Sequence, residues 1–307
     1  MIEKLSASEE ARSNMPEPGD GDEFLFEWLN ADAGVVFRRG TLLESIDTAH
    51  QKLEVFDTPA LGRMFRLDGC NMTSERDEFF YHENLVHPAA IAQQAPKSAL
   101  VIGGGDGGSI EELFKHPSIE RVVMAELDAE VVRIARAHFQ SVHRGALDDP
   151  RLEIRIGDGF AFLERTNEKF DMVLMDLTDP VGPAAALYST EFFRAANRVL
   201  PPSGTLGLHL GSPFFQPRRY AQTLRALREV FGIVQPYFVH IPLYGANWGM
   251  ACASQSTDPL ALSATEVDAR LAERRIARLQ YFNGAIHCAG FALPNYVREL
   301  TSKAPAS

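Results

Sequence analysis

The pattern of hydrophobic and polar residues differs between two parts of this chain of 307 residues. From residue 23 to about residue 78 the apolar runs are short, alternate partly with polar residues, and are separated by turns such as Gly34 and Asp68-Gly69. This pattern is typical of antiparallel hairpins. We therefore predict a small antiparallel β domain over residues 23–78. Residues 1–22, rich in Ser, Glu, Pro, Gly and Asp, are expected to form a disordered lead-in.

Beyond this region, buried-strand and amphipathic-helix patterns alternate. A helix is predicted over residues 75–92, with Pro88 marking a kink or a break. The predicted strands and helices that follow are strand 99–102, helix 109–115, strand 121–126, helix 129–139, strand 152–156, helix 160–165, strand 172–175, helix 190–199, strand 205–210, helix 218–230, and closing strands near 233–240 and 248–253. Such alternation builds a mostly parallel, Rossmann-like sheet with helices on both faces. We predict this α/β domain over residues 79–307.

The turn after the first strand of this sheet is rich in glycine. It runs Gly103-Gly-Gly-Asp-Gly-Gly108, and a helix begins directly after it. Glycines let the backbone approach a ligand, and the helix start adds free N–H groups, so the turn suits a nucleotide or nucleoside. Asp106 inside the turn is a poor neighbour for a pyrophosphate and a good one for a cation.

Carboxylates also follow the other strands, and ligands of such sheets bind at the carboxyl ends of the strands. Glu126 lies where an acidic residue can accept from ribose hydroxyls, and Asp158 could accept from the adenine amine. Asp176 and Asp179 follow the fourth strand. Each has a structural alternative: a helix cap for Asp106 or Asp158, a solvated strand end for Glu126, and an Asp-Pro turn for the last pair. Four acidic strand ends together favour a binding site.

Composition narrows the possible functions. The formal net charge of −11 argues against a nucleic-acid binder, which would need basic patches. No apolar run approaches the ~20 residues that span a bilayer, and the polar N-terminus carries no apolar signal core. The three cysteines have no metal-type spacing and suit a reducing cytoplasm without disulfides.

An adenosine-shaped site with extra carboxylates suits a cationic nucleoside such as S-adenosylmethionine. An ordinary methyltransferase must also accommodate the methionine carboxylate, which Asp106 would repel. Decarboxylated S-adenosylmethionine carries only the amine, for which Asp106 is a partner. The aminopropyl group is then the part that is transferred.

Longer motifs resemble the spermidine synthase family, the polyamine aminopropyltransferases, over roughly residues 30–300. The most specific are Asp77-Glu-Phe-Phe-Tyr-His-Glu83 and the Gly103–Gly108 turn. Further matching pieces are His50-Gln51, Gly62-Arg63, Leu67-Asp68-Gly69, Glu126-Leu-Asp128, Asp158-Gly159, Asp176-Leu-Thr-Asp-Pro-Val-Gly-Pro183, Ile241-Pro-Leu-Tyr244 and Phe291-Ala-Leu-Pro-Asn-Tyr296. The resemblance implies a class I methyltransferase-type sheet behind the antiparallel β domain, and a homodimer or homotetramer.

The resemblance also implies site residues. Donor-binding residues would be Gln51, Gly104, Asp106, Glu126, Asp158, Gly159 and Pro183. Acceptor-binding residues would be His82, Asp106, Asp176, Asp179 and Tyr244, with Tyr81 lining the same channel. Asp176 would be the general base, assisted by the Tyr81 hydroxyl, because an amine with a pKa near ~10 must lose a proton before it attacks. The leaving group is neutral methylthioadenosine, so neither a metal nor a cofactor is expected; decarboxylated S-adenosylmethionine is a co-substrate.

Three departures from the family pattern fall near the expected acceptor: Met72, His209 and Ala185-Ala186-Leu187 before Tyr188. Putrescine, giving spermidine, is the predicted acceptor, but spermidine, cadaverine, agmatine or another amine stays open. For His209 a structural role in the core is as plausible as contact with the substrate.

Two other functions are compatible with the fold. One is a methyltransferase that uses intact S-adenosylmethionine; Asp106 and the pair Asp176 and Asp179 argue against it. The other is a non-catalytic relative that senses a nucleoside or polyamine, against which the retained Asp176, Tyr81 and Tyr244 argue.

Overall fold

The structure is a computed structural model, and it describes residues 24–178 and 186–302. The predicted lead-in over residues 1–22, together with Asp179, Pro183 and Ala185, lies outside the described residues.

Antiparallel strands form the N-terminal part, as the alternating pattern predicts. A two-stranded ribbon pairs β1 with β2, and a four-stranded sheet has the order β3-β4-β5-β6. The bounds are β1 Phe24–Trp28, β2 Gly34–Arg38, β3 Thr41–Asp47, β4 Lys52–Thr58, β5 Gly62–Leu67 and β6 Cys70–Ser74. Leu53 and Phe65 of this sheet pack against Val131 and Ile134, so the small sheet is fastened to the larger part of the molecule by apolar contacts.

The first long helix, α1, spans Glu78–Ala92 and continues through Pro88. Of the kink or break predicted at Pro88, the break is therefore contradicted, and the kink stays a prediction. Proline cannot donate to the carbonyl four residues before it. Here that carbonyl, on Asn84, accepts from the Tyr237 hydroxyl at 2.7 Å instead. A partner distant in sequence thus satisfies the acceptor that Pro88 leaves open.

Within residues 24–178 and 186–302, seven strands form the central sheet, in the order β12-β13-β11-β10-β7-β8-β9. The strands are β7 Ser98–Gly103, β8 Arg121–Glu126, β9 Leu152–Ile156, β10 Met172–Asp176, β11 Thr205–Gly211, β12 Ile233–Ile241 and β13 Ala246–Ser254. β9, β8, β7, β10 and β11 are parallel, whereas β13 runs antiparallel to β11 and to β12. The predicted fold class, a Rossmann-like α/β sheet behind antiparallel strands, is confirmed.

The remaining helices cover both faces of this sheet. They are α2 Gly108–Phe114, α3 Ala129–His138, α4 Gln140–His143, α5 Gly159–Arg165, α6 Thr190–Val199, α7 Pro217–Arg228, α8 Ala264–Glu273, α9 Gly284–Gly290 and α10 Asn295–Ser302. Alternate residues of β7 enter different cores: Val101 packs with Leu85 of α1, and Leu100 with Phe192 of α6. Among the described residues, no helix has the length and apolar character needed to cross a membrane.

The order of the sheet places a crevice between β7 and β10. The chain adds β8 and β9 on one side of β7, and it then crosses over to place β10 on the opposite side of β7. Asp176 at the end of β10 lies beside Gly103 at the end of β7. This reversal of strand order is where Rossmann-like sheets bind their ligands.

Candidate active site

The glycine turn lies at this crevice and is held against the end of β10. Gly103 and Gly104 have φ angles of 78° and 74°, which side chains rarely adopt. The Gly104 N–H donates to the Asp176 carbonyl at 2.9 Å. A Cβ at Gly103 would lie 2.2 Å from the same oxygen, and one at Gly104 would lie 3.1 Å from Asp176 Oδ2. Only glycine allows the turn to pass this close to the Asp176 carboxylate.

Three ionisable side chains meet beyond the turn. His82 comes from α1, Asp106 from the glycine turn and Asp176 from β10, and one polar atom of each lies within 4.8 Å of the others. His82 Nε2 is 3.4 Å from Asp106 Oδ2. The Gly108 N–H donates to Asp106 Oδ1 at 3.1 Å, and the Ser109 hydroxyl donates to Asp176 Oδ2. We call His82, Asp106 and Asp176 the central cluster.

The two carboxyl groups of the central cluster have different acidities. Burial, and then repulsion by Asp106, raise the pKa of Asp176 to about 6. Burial acts in the same direction on Asp106, but His82 outweighs it and lowers the pKa of Asp106. Burial disfavours a charged His82, yet Asp106 and Glu78 hold its pKa well above the usual value. Near neutral pH the cluster therefore contains an imidazolium, an ionised Asp106, and Asp176 as the group poised to exchange a proton.

Two tyrosines border the central cluster. Burial, followed by the charge of Asp176, raises the pKa of Tyr81 well above its usual value. Burial likewise raises the pKa of Tyr244, whose hydroxyl donates to the Met72 carbonyl at 2.9 Å. The two rings are 6.2 Å apart between centroids. Both hydroxyls therefore stay protonated at neutral pH and can donate hydrogen bonds.

Glu126 is the last residue of β8 and lies on the other side of the glycine turn. Its carboxyl accepts from Gly105 N–H at 3.2 Å and from Asp128 N–H at 3.0 Å. Burial raises the pKa of Glu126 to about 7. Gln51 reaches the same region from the N-terminal sheet, where its amide lies 3.5 Å from Asp128 Oδ2. The structure thus brings two of the predicted donor-binding residues to one side of the turn.

Asp158 and Gly159 lie at the end of β9. The exposed Asp158 side chain caps α5 by accepting from Phe160 N–H at 2.8 Å, so the capping role considered from the sequence is present. A Cβ at Gly159 would lie 2.7 Å from the Ile102 side chain, so close packing explains why this position is a glycine. An open groove of about 880 Å³ is lined by Asp158 but by no member of the central cluster. Contact of Asp158 with adenine stays a prediction.

A smaller cavity, of about 30 Å³, lies beside the central cluster. It is lined by Glu27, Cys70, Asn71, Met72, Tyr81, Leu177, Thr178, His209, Tyr244 and Trp248. We call it the aromatic cavity. Met72 and His209, which depart from the family pattern, lie in its wall, close to Tyr81 and Tyr244 as expected.

Glu27 and Trp248 were missed from the sequence, although both line the aromatic cavity. Glu27 Oε2 accepts from Asn71 N–H at 2.9 Å, which holds the carboxylate against β6. Its only local signal is an acidic position between two aromatic residues of a short strand. Such a position is equally typical of a solvated strand face.

His209 is both a core residue and part of the cavity wall. Its Nδ1 accepts from the Trp248 indole N–H at 3.3 Å, so its proton lies on Nε2. Nε2 is 2.9 Å from the Leu177 carbonyl and 2.6 Å from the Tyr188 hydroxyl. The structural role considered from the sequence is therefore present, because His209 binds groups from three neighbouring segments, and its contact with the substrate stays a prediction.

Comparison with known proteins shows the family to which the chain belongs. The Spermine/spermidine synthase domain family matches residues 78–263. The polyamine aminopropyltransferase of Nitrosomonas europaea is 48% identical over 94% of this chain and 89% of its own length. Polyamine aminopropyltransferase 2 of Hyperthermus butylicus is 38% identical over 91% of this chain and 92% of its own.

Two solved structures are similar throughout. A spermidine synthase in complex with the transition state analogue AdoDATO superposes with a TM-score of 0.85 at 32% identity, covering 94% of this chain and 99% of that one. The spermidine synthase of Thermotoga maritima gives a TM-score of 0.84 at 31% identity, over 94% and 98%.

Fold and site together define a Rossmann-like transferase with a carboxylate-lined crevice. The chain belongs to the spermine/spermidine synthase family and is an aminopropyltransferase. The resemblance seen in the sequence motifs is thereby confirmed.

Proposed function

We propose that this enzyme transfers the aminopropyl group of decarboxylated S-adenosylmethionine to putrescine, giving spermidine and methylthioadenosine. The observation that carries the proposal is the position of Asp106, an ionised carboxylate at the glycine turn beside Asp176. A methionine carboxylate placed there would be repelled, whereas an ammonium group would be attracted.

The donor would lie along the ends of β7, β8 and β9. Glu126 would accept from the ribose hydroxyls, with Gln51 beside it and the Gly104 backbone facing the nucleoside. Asp158 and Gly159 would face adenine, and Asp106 would bind the amine of the aminopropyl group. Pro183 is proposed as a further nucleoside contact from its place in the family motif, and Asp179 as an acceptor contact on the same ground.

The acceptor amine arrives as an ammonium and must lose a proton. Asp176, with a pKa of about 6, can take this proton while the amine lies within hydrogen-bond reach. The nitrogen lone pair then attacks the methylene carbon next to the sulfonium, the carbon–sulfur bond breaks, and its electron pair stays on sulfur. One proton is released per turnover, because the product nitrogen is a cation and methylthioadenosine is neutral. The Tyr81 hydroxyl would help to orient the attacking nitrogen.

The aromatic cavity would receive the rest of the acceptor. Tyr81, Tyr244 and Trp248 offer apolar surface to a methylene chain, with His82 and Asp176 near the reacting end. Glu27 adds a second carboxylate, which suits the distal ammonium of a diamine. The cavity has room for little more than a water molecule, so its lining side chains must move apart when an amine binds.

We further propose that the enzyme acts in the cytoplasm as a homodimer or homotetramer. Cys70, Cys252 and Cys288 are free thiols, which suits a reducing compartment. The assembly is inferred from the family alone.

Product identification tests the proposed function. The protein is incubated with decarboxylated or intact S-adenosylmethionine and with putrescine, cadaverine, agmatine, spermidine or butylamine, and products are identified by mass. We expect spermidine and methylthioadenosine from putrescine, and weak turnover of butylamine because it lacks the distal ammonium. Methylated amines would establish a methyltransferase instead, and no turnover with any donor would favour a sensor.

A further inference from the structure

A buried glutamate lies behind the central cluster, in contact with His82. Glu78 lies one helical turn before His82 on α1, and its side chain is only 1% exposed. Its Oε2 is 2.9 Å from His82 Nδ1, while the other ring nitrogen, Nε2, faces Asp106 at 3.4 Å. Arg144 binds the second oxygen of Glu78 at 2.8 Å. His82 is therefore held between two carboxylates, one of which is tied to an arginine.

The His82 ring is also fixed by packing. A Cβ at Gly108 would lie 2.2 to 2.5 Å from three of its ring atoms, so the ring is packed directly on the backbone at the start of α2. Nδ1 faces one oxygen of Glu78 at 2.9 Å while Arg144 binds the other oxygen, so Nδ1 is the donor of this hydrogen bond and carries a proton. A neutral ring would then present the lone pair of Nε2 to the Asp106 carboxylate, which is unfavourable. A second proton on Nε2 removes this conflict, so the geometry favours an imidazolium.

The imidazolium separates the roles of two neighbouring carboxyl groups. Asp106 and Asp176 alone would compete for one proton, as like charges do at short distance. The His82 imidazolium lies next to Asp106 and keeps this carboxyl group ionised. Asp176 is then the group that exchanges the proton. The charged or titratable groups around His82 are Asp77, Glu78 and Tyr81 from the α1 region, Asp106 from the turn and Asp176 from β10, with Arg144 behind Glu78.

We propose that Glu78, anchored by Arg144, is a positioning residue that holds His82 as a two-sided donor, so that Asp106 binds the donor amine and Asp176 acts as the base. This inference rests on the proposed function. It adds a residue that touches neither substrate and acts only through His82.

The test compares Glu78→Gln, His82→Gln and the double variant, with Glu111→Gln as the matched control. Glu111 also binds Arg144, at 3.2 Å, but makes no bond to His82. The measurements are kcat and KM for decarboxylated S-adenosylmethionine across pH, and the Kd of methylthioadenosine. Without the charge of the His82 imidazolium, burial is the dominant influence on Asp106 and raises the pKa of that carboxyl group. We therefore expect the acidic limb of kcat/KM to move to higher pH and the donor KM at neutral pH to rise by about 10-fold.

Three further results are expected. The Kd of methylthioadenosine, which lacks the amine, stays within about twofold, because a positioning effect on Asp106 does not reach the nucleoside. The double variant is no worse than the poorer single variant, because both act through one group. Glu111→Gln behaves like the wild type. Independent losses that multiply in the double variant, or an equal loss of methylthioadenosine binding, would overturn the proposal.

An NMR titration of the His82 imidazole separates this inference from the proposed function, because it needs no turnover. In the wild type the ring should stay protonated well above the pH at which a free imidazole loses its proton, because Asp106 and Glu78 raise its pKa, and in Glu78→Gln it should lose its proton at clearly lower pH. The same titration curve in both proteins would overturn the inference even in an active enzyme. A wild type that shows the expected titration but does not use the decarboxylated donor would overturn only the proposed function.

Discussion

At the scale of single residues, the site depends on carboxyl groups whose charges are set by their neighbours. The His82 imidazolium lowers the pKa of Asp106, whereas burial and the nearby charge of Asp106 raise the pKa of Asp176 to about 6. Two aspartates of one cluster can therefore bind a cation and remove a proton at the same pH.

Replacing Asp176 by Asn should lower kcat by at least ~100-fold, because it removes a general base worth 10²–10⁴ in rate. Methylthioadenosine binding should stay close to that of the wild type, and Asp57→Asn, an exposed carboxylate of β4, serves as the control. In the wild type, kcat should fall as the pH drops below about 6, where Asp176 becomes protonated and cannot accept. Stopped assays over a pH series measure both effects. Full activity of the Asn variant would show that Asp176 is not the base.

The acidic strand ends could be predicted at this scale, but their partners could not. Asp106, Glu126 and Asp176 follow strands whose pattern is clear in the sequence. The side-chain hydrogen bonds from Arg144 to Glu78 and from Ser109 to Asp176 join residues that are 66 and 67 positions apart. No local pattern in the sequence predicts them.

At the scale of elements, the close contact between α1 and the start of α2 determines the site. Gly108→Ala would place a methyl group within 2.5 Å of the His82 ring, which must then shift away from Asp106. We expect a loss of about 1–3 kcal/mol in the free energy of unfolding from overpacking, although alanine favours the helix, and a higher donor KM.

Urea unfolding and steady-state kinetics check the Gly108 variant. Gly232→Ala is the matched control, since a Cβ there meets no atom closer than 3.5 Å. If Gly108→Ala unfolds and turns over like the wild type, the ring is free to move and the proposed fixation of His82 is wrong.

Most elements could be predicted from the hydrophobic pattern to within two or three residues. The continuous helix around Pro88 could not be predicted, because the carbonyl that Pro88 leaves without a donor is bound by the Tyr237 hydroxyl of β12. The start of α1 was also predicted too early: the helix begins at Glu78, and the side chain of Asp77 accepts from Leu243 N–H. In both cases a distant contact overrides the local preference of the chain.

At the scale of the whole molecule, the aromatic cavity combines residues that lie far apart in the sequence, from Glu27 to Trp248. Glu27 comes from the N-terminal ribbon, Tyr81 from α1, and Trp248 from the last strand of the sheet. The C-terminal part is tied to α1 through Glu83, whose carboxylate accepts from three consecutive N–H groups of residues 280–282. The alternation of strands and helices predicts the sheet, but a cavity assembled across such separations depends on tertiary packing.

The central claim is that Asp106 selects a donor whose tail ends in an amine. Equilibrium binding of decarboxylated S-adenosylmethionine, intact S-adenosylmethionine and methylthioadenosine to the wild type and to Asp106→Ala tests it most directly. The wild type should bind the decarboxylated donor about 10- to 100-fold more tightly than the intact one, as expected for a charge-assisted hydrogen bond. Asp106→Ala should lose this preference while its affinity for methylthioadenosine is preserved. Equal affinity of the wild type for both donors, or an equal loss for all three ligands in the variant, would contradict the account.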